Sequence, residues 1–334
     1  MRLVRAAAVL LVLAAPVALT IACGSRSELF LIEEPLPPGA DAGEDVGQAL
    51  DVFVPDDTAQ PEDAVIPPID VALPDVVPPP ICADAGDTLI YTVTTSNSLL
   101  RFNPASAQFT KIGTLNCPDP LGRSPFSMAV DRQGAAYVIY YDSTGTGTFP
   151  PPSPGNIYRV DLNNASCTAT SYVAGQQGFG SFGMAFVSDT TDMNETLYVA
   201  SDDTPGRLGA INEMSLVLSL VGTFSPEVDN AELTGTGDGR LFAFYESLAG
   251  SGSVIAQIDP TTARVIGESQ LPTVNAQNGW AFAFWGGDFY MFTSPDGATS
   301  DVTRYDPNDG SVVTVARYPE EIDGAGVSTC APVQ

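Results

Sequence analysis

The chain contains no histidine. That removes Ser-His-Asp and Cys-His nucleophile systems, imidazole metal ligands and the commonest pH switch near neutrality. Positive charge is scarce as well: 13 Lys and Arg face 40 Asp and Glu, for a formal charge of −27. So acidic a chain repels a phosphate backbone, and nucleic acid is excluded as a partner. The five cysteines include no C-x-x-C, so the usual zinc and redox spacings are missing. Beyond the first two dozen residues no apolar stretch is long enough to span a bilayer. Abundant instead are 31 Gly and 28 Pro, beside 44% hydrophobic residues. That combination implies a turn-rich globular part joined to a segment that does not pack.

Arg2 and Arg5 precede an unbroken apolar run from Ala6 to Leu19. As a helix this run covers about 21 Å, short of the ~30 Å bilayer core. Thr20-Ile21-Ala22-Cys23-Gly24 follows. Small residues before a Cys at the end of such a run resemble a bacterial lipobox. The resemblance implies a signal peptide over 1–22, a lipid on Cys23 and membrane attachment through it. Gly24 in place of Asp implies an outer-membrane lipoprotein, facing the periplasm or the cell surface. Residues 23–81 then read as a disordered stalk. From 24 to 81 there are 13 acids, a single base (Arg26), eleven prolines and only two aromatics, Phe30 and Phe53. Such a chain cannot bury enough apolar area to offset its conformational entropy. Proline and self-repulsion extend it to on the order of 180 Å, at ~3.1 Å per residue.

Residues 88–330 carry an internal repeat. A short strand ends in Asn or Asp at Asn103, Asp161, Asn212, Asp259 and Asp306, three of them followed by Pro. The spacings are 58, 51, 47 and 47 residues. Asx residues start turns because their side chains bond the backbone two residues on. Four copies are preceded by an alternating strand and a tight turn. The strands open at Phe126, Phe182, Glu232 and Trp280, and a fifth, Ala325–Thr329, ends the repeats. Each unit therefore has four strands, and the two ends of the repeat region complete one unit between them. One face of each first strand is small, as strands converging on an axis require, and Leu233-Gly235 breaks the pattern once. The pattern resembles a β-propeller with five blades, one shared between N- and C-terminal strands, over a domain spanning 82–334. A two-sheet β-sandwich is the alternative. The phrases Glu232–Arg240 and Gly324–Cys330 look like uncharacterised predicted lipoproteins of myxobacteria, a resemblance that implies no activity.

An exported chain with Cys82, Cys117, Cys167 and Cys330 favours disulfides over thiols. Cys330 ends the innermost strand of the closing blade and Cys82 precedes its second strand, so a bond between them replaces the usual turn. Cys117 and Cys167 remain. The topology resists that pair, placing Cys117 at the exit of an outer strand and Cys167 at the entrance of another, on opposite faces. Either the register is shifted or one pair stays reduced.

The candidate ligand site is the funnel where the first strands begin: Phe126, Phe182, Glu232, Trp280 and Asp323. An aromatic rim with a carboxylate suits a sugar, a peptide or a cation. Glu232 stands out, because an acid near the axis needs water, a partner or a ligand. Asp131 and Asp238 read as turn residues at the opposite end. No cofactor is implied. The nearest approach to a calcium loop is Asp306-Pro307-Asn308-Asp309-Gly310, where Arg317 occupies the position an EF-hand gives to Glu. Asp189, Asp192 and Asn194 form a looser acidic group. The reading is therefore a lipid-anchored envelope protein whose propeller head binds a carbohydrate or protein ligand. The alternative is an exported carbohydrate-active enzyme using two funnel carboxylates.

Overall fold

The computed structural model describes residues 88–141, 153–189 and 194–334. The expected signal peptide, Cys23, the stalk, Cys82 and Asp192 lie outside the described residues. The fold is all-β: five four-stranded antiparallel sheets arranged as a five-bladed β-propeller. It is not two stacked sheets, so the sandwich alternative falls. Blade 1 is β1 (Ile90–Thr94), β2 (Ser98–Asn103) and β3 (Gln108–Thr114), completed by the last strand, β20 (Ile322–Gly326). Blade 2 is β4 (Ser124–Val130), β5 (Ala135–Tyr141), β6 (Asn156–Asp161) and β7 (Cys167–Ala169). Blade 3 is β8 (Phe182–Ser188), β9 (Glu195–Ser201), β10 (Arg207–Ile211) and β11 (Leu218–Thr223). Blade 4 is β12 (Glu232–Gly235), β13 (Leu241–Glu246), β14 (Ser253–Ile258) and β15 (Val265–Leu271). Blade 5 is β16 (Gly279–Trp285), β17 (Asp288–Ser294), β18 (Ser300–Asp306) and β19 (Ser311–Tyr318).

The five Asx residues make the same outer turn. Their side-chain oxygens accept from the N–H of Ser106 (3.1 Å), Asn163 (2.8 Å), Ser215 (2.9 Å), Thr261 (2.9 Å) and Asn308 (2.8 Å). Four residues beyond each Asx the backbone turns left-handed, at Ala107, Ala165, Leu216, Ala263 and Gly310. Only the last is glycine, although alanine and leucine resist that conformation. The core lies between blades. The Phe242 ring sits 4.9 Å from Phe289, and that of Phe244 5.4 Å from Phe282, joining blade 4 to blade 5. Near the axis the innermost strands almost touch. A methyl on Gly183 would lie 2.1 Å from the Ala231 carbonyl oxygen, and one on Gly235 2.0 Å from that of Phe186.

Two expectations need correction. The closing strand is Ile322–Gly326, not Ala325–Thr329. It pairs with β1 through Thr92 opposite Ala325, and the small residues that meet blade 2 are Gly324 and Gly326. Residues 327–334 instead cross beneath blade 5, where Gly286 N–H donates to the Pro332 carbonyl at 2.7 Å. The second correction concerns cysteine. Cys117 and Cys167 are bonded, with Cα atoms 4.8 Å apart. Blades twist, so outer strands run nearly tangentially, and the exit of one meets the last hairpin of the next. Gly113 accordingly packs on Ala165, and Ser225 bridges to Arg264 at the joint between blades 3 and 4. Cys330 is itself disulfide-bonded.

Candidate functional site

Because each blade has four antiparallel strands, the chain leaves an outermost strand at the end where the next innermost strand begins. All five innermost strands therefore start at one end of the axis, the mouth, and finish at the other, the floor. Glu232 and Asp323 are brought together at the mouth. Glu232 opens β12 and is 4% exposed. Ser127, on β4 across the axis, donates its hydroxyl to Glu232 Oε2 at 2.7 Å and accepts from Met184 N–H at 3.2 Å. Burial pushes the Glu232 carboxyl well above the usual carboxylate range; Ser127 opposes this, and the charge of Asp323 adds to it. Asp323, on β20, is 8% exposed and receives no hydrogen bond from a described residue. Its carboxyl is also raised well above the usual range, by burial and then by the charge of Glu321. Among the described residues no basic group acts on either acid.

The neighbouring Glu320 shows what a satisfied acid looks like here. Burial works against its charge, yet the hydroxyls of Ser96, Thr94 and Ser98 and the Lys111 ammonium hold it below the usual range. Of the aromatic rim, Phe182 is fully buried beside Phe179 and Tyr172 and packs between blades 2 and 3. Phe126 is partly buried, with its ring edge-on to Tyr141 at 5.7 Å. Trp280 packs partly buried against the blade 4–5 cluster, and its buried indole N–H has no acceptor among the described residues. The rim is thus mostly packing, and the polar groups carry the chemistry. Sequence reasoning missed Ser127, Gly279 and Glu321. Ser127 stood in plain view on the small face of its strand, but nothing linked it to an acid 105 residues away.

The floor is built differently. Arg132, in the turn after β4, donates its backbone N–H to Glu195 Oε1 at 2.6 Å and its guanidinium to Ser188. Thr329 donates its hydroxyl to the other oxygen of Glu195 at 2.8 Å. Both Glu195 oxygens are thus engaged, yet burial lifts its carboxyl to about 7. Between mouth and floor lies a cavity of ≈ 10 Å³ among Ala129, Met184, Phe186, Thr234 and Gly326, room for about one water. Asp131 and Asp238 lie in turns at this end: Asp131 accepts from Ala135 N–H at 2.7 Å, and Asp238 pairs with Arg240 at 2.9 Å. A shallow cleft of ≈ 520 Å³ also opens here, lined by Gln133, Asp189, Asn194, Glu213 and Met214. No group of acids among the described residues is arranged to hold a metal ion. The Asp306 loop is one of the outer turns, with its carboxylate turned onto Asn308.

No protein-family model matches the sequence, and no curated protein matches it either. Among solved structures, one chain of a nidogen/laminin complex is similar over 73% of this chain and 99% of its own, at 10% identity and a TM-score of 0.45. A gluconolactonase from Xanthomonas campestris is similar over 64% of this chain and 67% of its own, at 17% identity and a TM-score of 0.41. An exo-β-1,3-galactanase from Phanerochaete chrysosporium is similar over 61% of this chain and 52% of its own, at 12% identity and a TM-score of 0.43. With identities and TM-scores this low, none of the three bears on what this chain binds, and the five-bladed propeller stands on its strand order.

Proposed function

We propose that this is an exported, lipid-anchored envelope protein whose propeller head binds a ligand at the mouth without transforming it. One observation carries the binding part: two carboxyls, Glu232 and Asp323, are buried together with no base from a described residue beside them. Burying an acid that way is costly. A site that keeps two of them is organised around a group that arrives from outside. The carbohydrate-active alternative is less well supported. Glycoside hydrolysis needs one carboxyl protonated and the other ionised. Here the surroundings favour the protonated form of both.

A glycan and peptide array tests the site, probed with the full chain in detergent beside its Glu232→Gln variant. Ligands bound by the first and lost by the second are expected. An array with no Glu232-dependent ligand refutes the mouth as the binding site. Release of sugar fragments from a bound glycan would instead establish the enzyme. The anchor rests on the sequence alone, and Cys23→Ala tests it: the variant should leave the membrane fraction with its melting temperature unchanged.

A further inference from the structure

The five outer turns share one construction, and the turn of blade 3 departs from its sisters in the side chains it carries. One residue after the Asx it has Glu213, where the others have Pro104, Leu162, Pro260 and Pro307. Two residues after, it has Met214, where the others have Ala105, Asn163, Thr261 and Asn308. Five residues after, it has Val217, where the others have Gln108, Ser166, Arg264 and Ser311. The turn itself is intact. Asn212 accepts from the N–H and the hydroxyl of Ser215, both at 2.9 Å, and Leu216 fills the joint with blade 2. Met214 is nevertheless 91% exposed and Val217 55% exposed. Apolar side chains that a fixed turn holds in water add nothing to the core.

Both residues line the cleft of ≈ 520 Å³ at the floor end of blade 3, a size within the ~300–1,000 Å³ usual for ligand sites. Its three acids come from three separate elements. Glu195 opens β9, Asp189 follows β8, and Glu213 stands in the outer turn beside Met214. Glu195 is held in place by the Arg132 N–H and the Thr329 hydroxyl. No Lys or Arg lines the cleft among the described residues. Arg159 acts on Glu213 from blade 2, and the Arg132 guanidinium is turned onto Ser188.

We propose that this cleft is a second binding site, which takes a basic segment of another protein. A Lys or Arg side chain lies with its aliphatic stem on Met214 and Val217 and its charged head among Glu213, Asp189 and Glu195. Long basic side chains have this two-part character, an apolar stem and a polar tip. Other ligand classes fit less well. An anion meets three acids. A sugar ring finds no aromatic side chain among the lining residues to stack on. The acids among the described residues are not grouped to hold a metal ion. Nor does this chain supply the segment. Residues 24–81 carry 13 acids and a single base, and a second copy brings a formal charge of −27, so like charge opposes both. The cleft lies at the opposite end of the axis from Glu232 and Asp323, so this site stands or falls apart from the mouth.

Calorimetric titration of the full-length protein in detergent, at low salt and near pH 8, tests this. The probes are an acetylated, amidated Gly-Arg-Gly peptide, its lysine counterpart and its citrulline counterpart. Citrulline keeps the outline of arginine and removes the charge. The two basic peptides should bind saturably, and the citrulline peptide at least about tenfold more weakly than the arginine one. Glu213→Gln and Met214→Asn should each weaken binding by about threefold or more, the first through charge and the second through apolar contact. Both positions lie on the surface, and Asn occupies the matching position in two sister turns, so both variants should melt with the parent. Equal affinity for the arginine and citrulline peptides, affinity unchanged by either substitution, or no binding of the basic peptides at about 10 mM each overturns the proposal.

Discussion

Glu195 offers the most quantitative test of how the floor is held. Its carboxyl ionises near 4.5 in an unfolded chain and at about 7 in the folded protein, because burial outweighs its bonds to Arg132 and Thr329 and the charge of Arg132. Between those two values the native state keeps a proton that the unfolded state has lost. Stability from this group is therefore complete below about pH 4.5, falls as pH rises, and levels off above about pH 7. At 1.36 kcal/mol per tenfold, the loss amounts to about 3 kcal/mol. Glu195→Gln removes it. The amide oxygen can still accept from Arg132 N–H, and the amide nitrogen can donate to the Thr329 hydroxyl. In a domain of this size 1 kcal/mol moves the melting temperature by roughly 2–4 °C. The variant should match or trail the wild type near pH 4.5 and exceed it by roughly 6–12 °C near pH 8. Thermal melts of the two proteins across that range, taken as differences, cancel the other buried carboxyls. A difference that stays flat with pH, or grows in the opposite sense, would show that Glu195 is not a buried acid that prefers its proton.

Gly183→Ala should destabilise beyond the ~1–3 kcal/mol usual for overpacking, because its methyl meets main chain at 2.1 Å and not a movable side chain. A denaturant midpoint equal to that of the wild type would contradict the close approach of β8 and β12. Replacing Cys117 and Cys167 by Ser opens a loop with a sequence separation of 50, for which chain entropy predicts a loss of about 4 kcal/mol. Identical melting of the two proteins under non-reducing conditions would mean the bond contributes nothing to the seam between blades 1 and 2.

The blade count and the shared blade were legible because they rest on local signals. Asx turns recur at a near-constant interval, and alternating small residues mark each innermost strand. The last strand was misplaced for a reason built into the same signal. Gly324, Gly326 and Ser328 all lie on one alternation, and sliding the pairing by two residues leaves every side chain on its own face. The true register is fixed by contact: Gly324 and Gly326 are the residues that blade 2 approaches. The disulfide was legible only by elimination, since the twist that joins Cys117 to Cys167 leaves no mark on either residue. Glu232 could be singled out as an acid near the axis. Its bond to Ser127 could not, because that bond crosses the axis between blades that are not neighbours.

The Ser127–Glu232 bond and the clasp of Arg132, Glu195 and Thr329 obstruct the axis at two levels, with space for about one water between them. The propeller is a ring in topology but is closed along its axis. Nothing can be threaded through it, so a polymer cannot be held along its length inside the ring or moved through it processively. What reaches Asp323 must be a tip: a chain end, or a side group that stands clear of its backbone. Association and dissociation then share one door, and whatever narrows that door slows both by the same factor and leaves the affinity where it was. A variant that alters the rim without touching the acids should therefore show itself in rates and stay invisible at equilibrium.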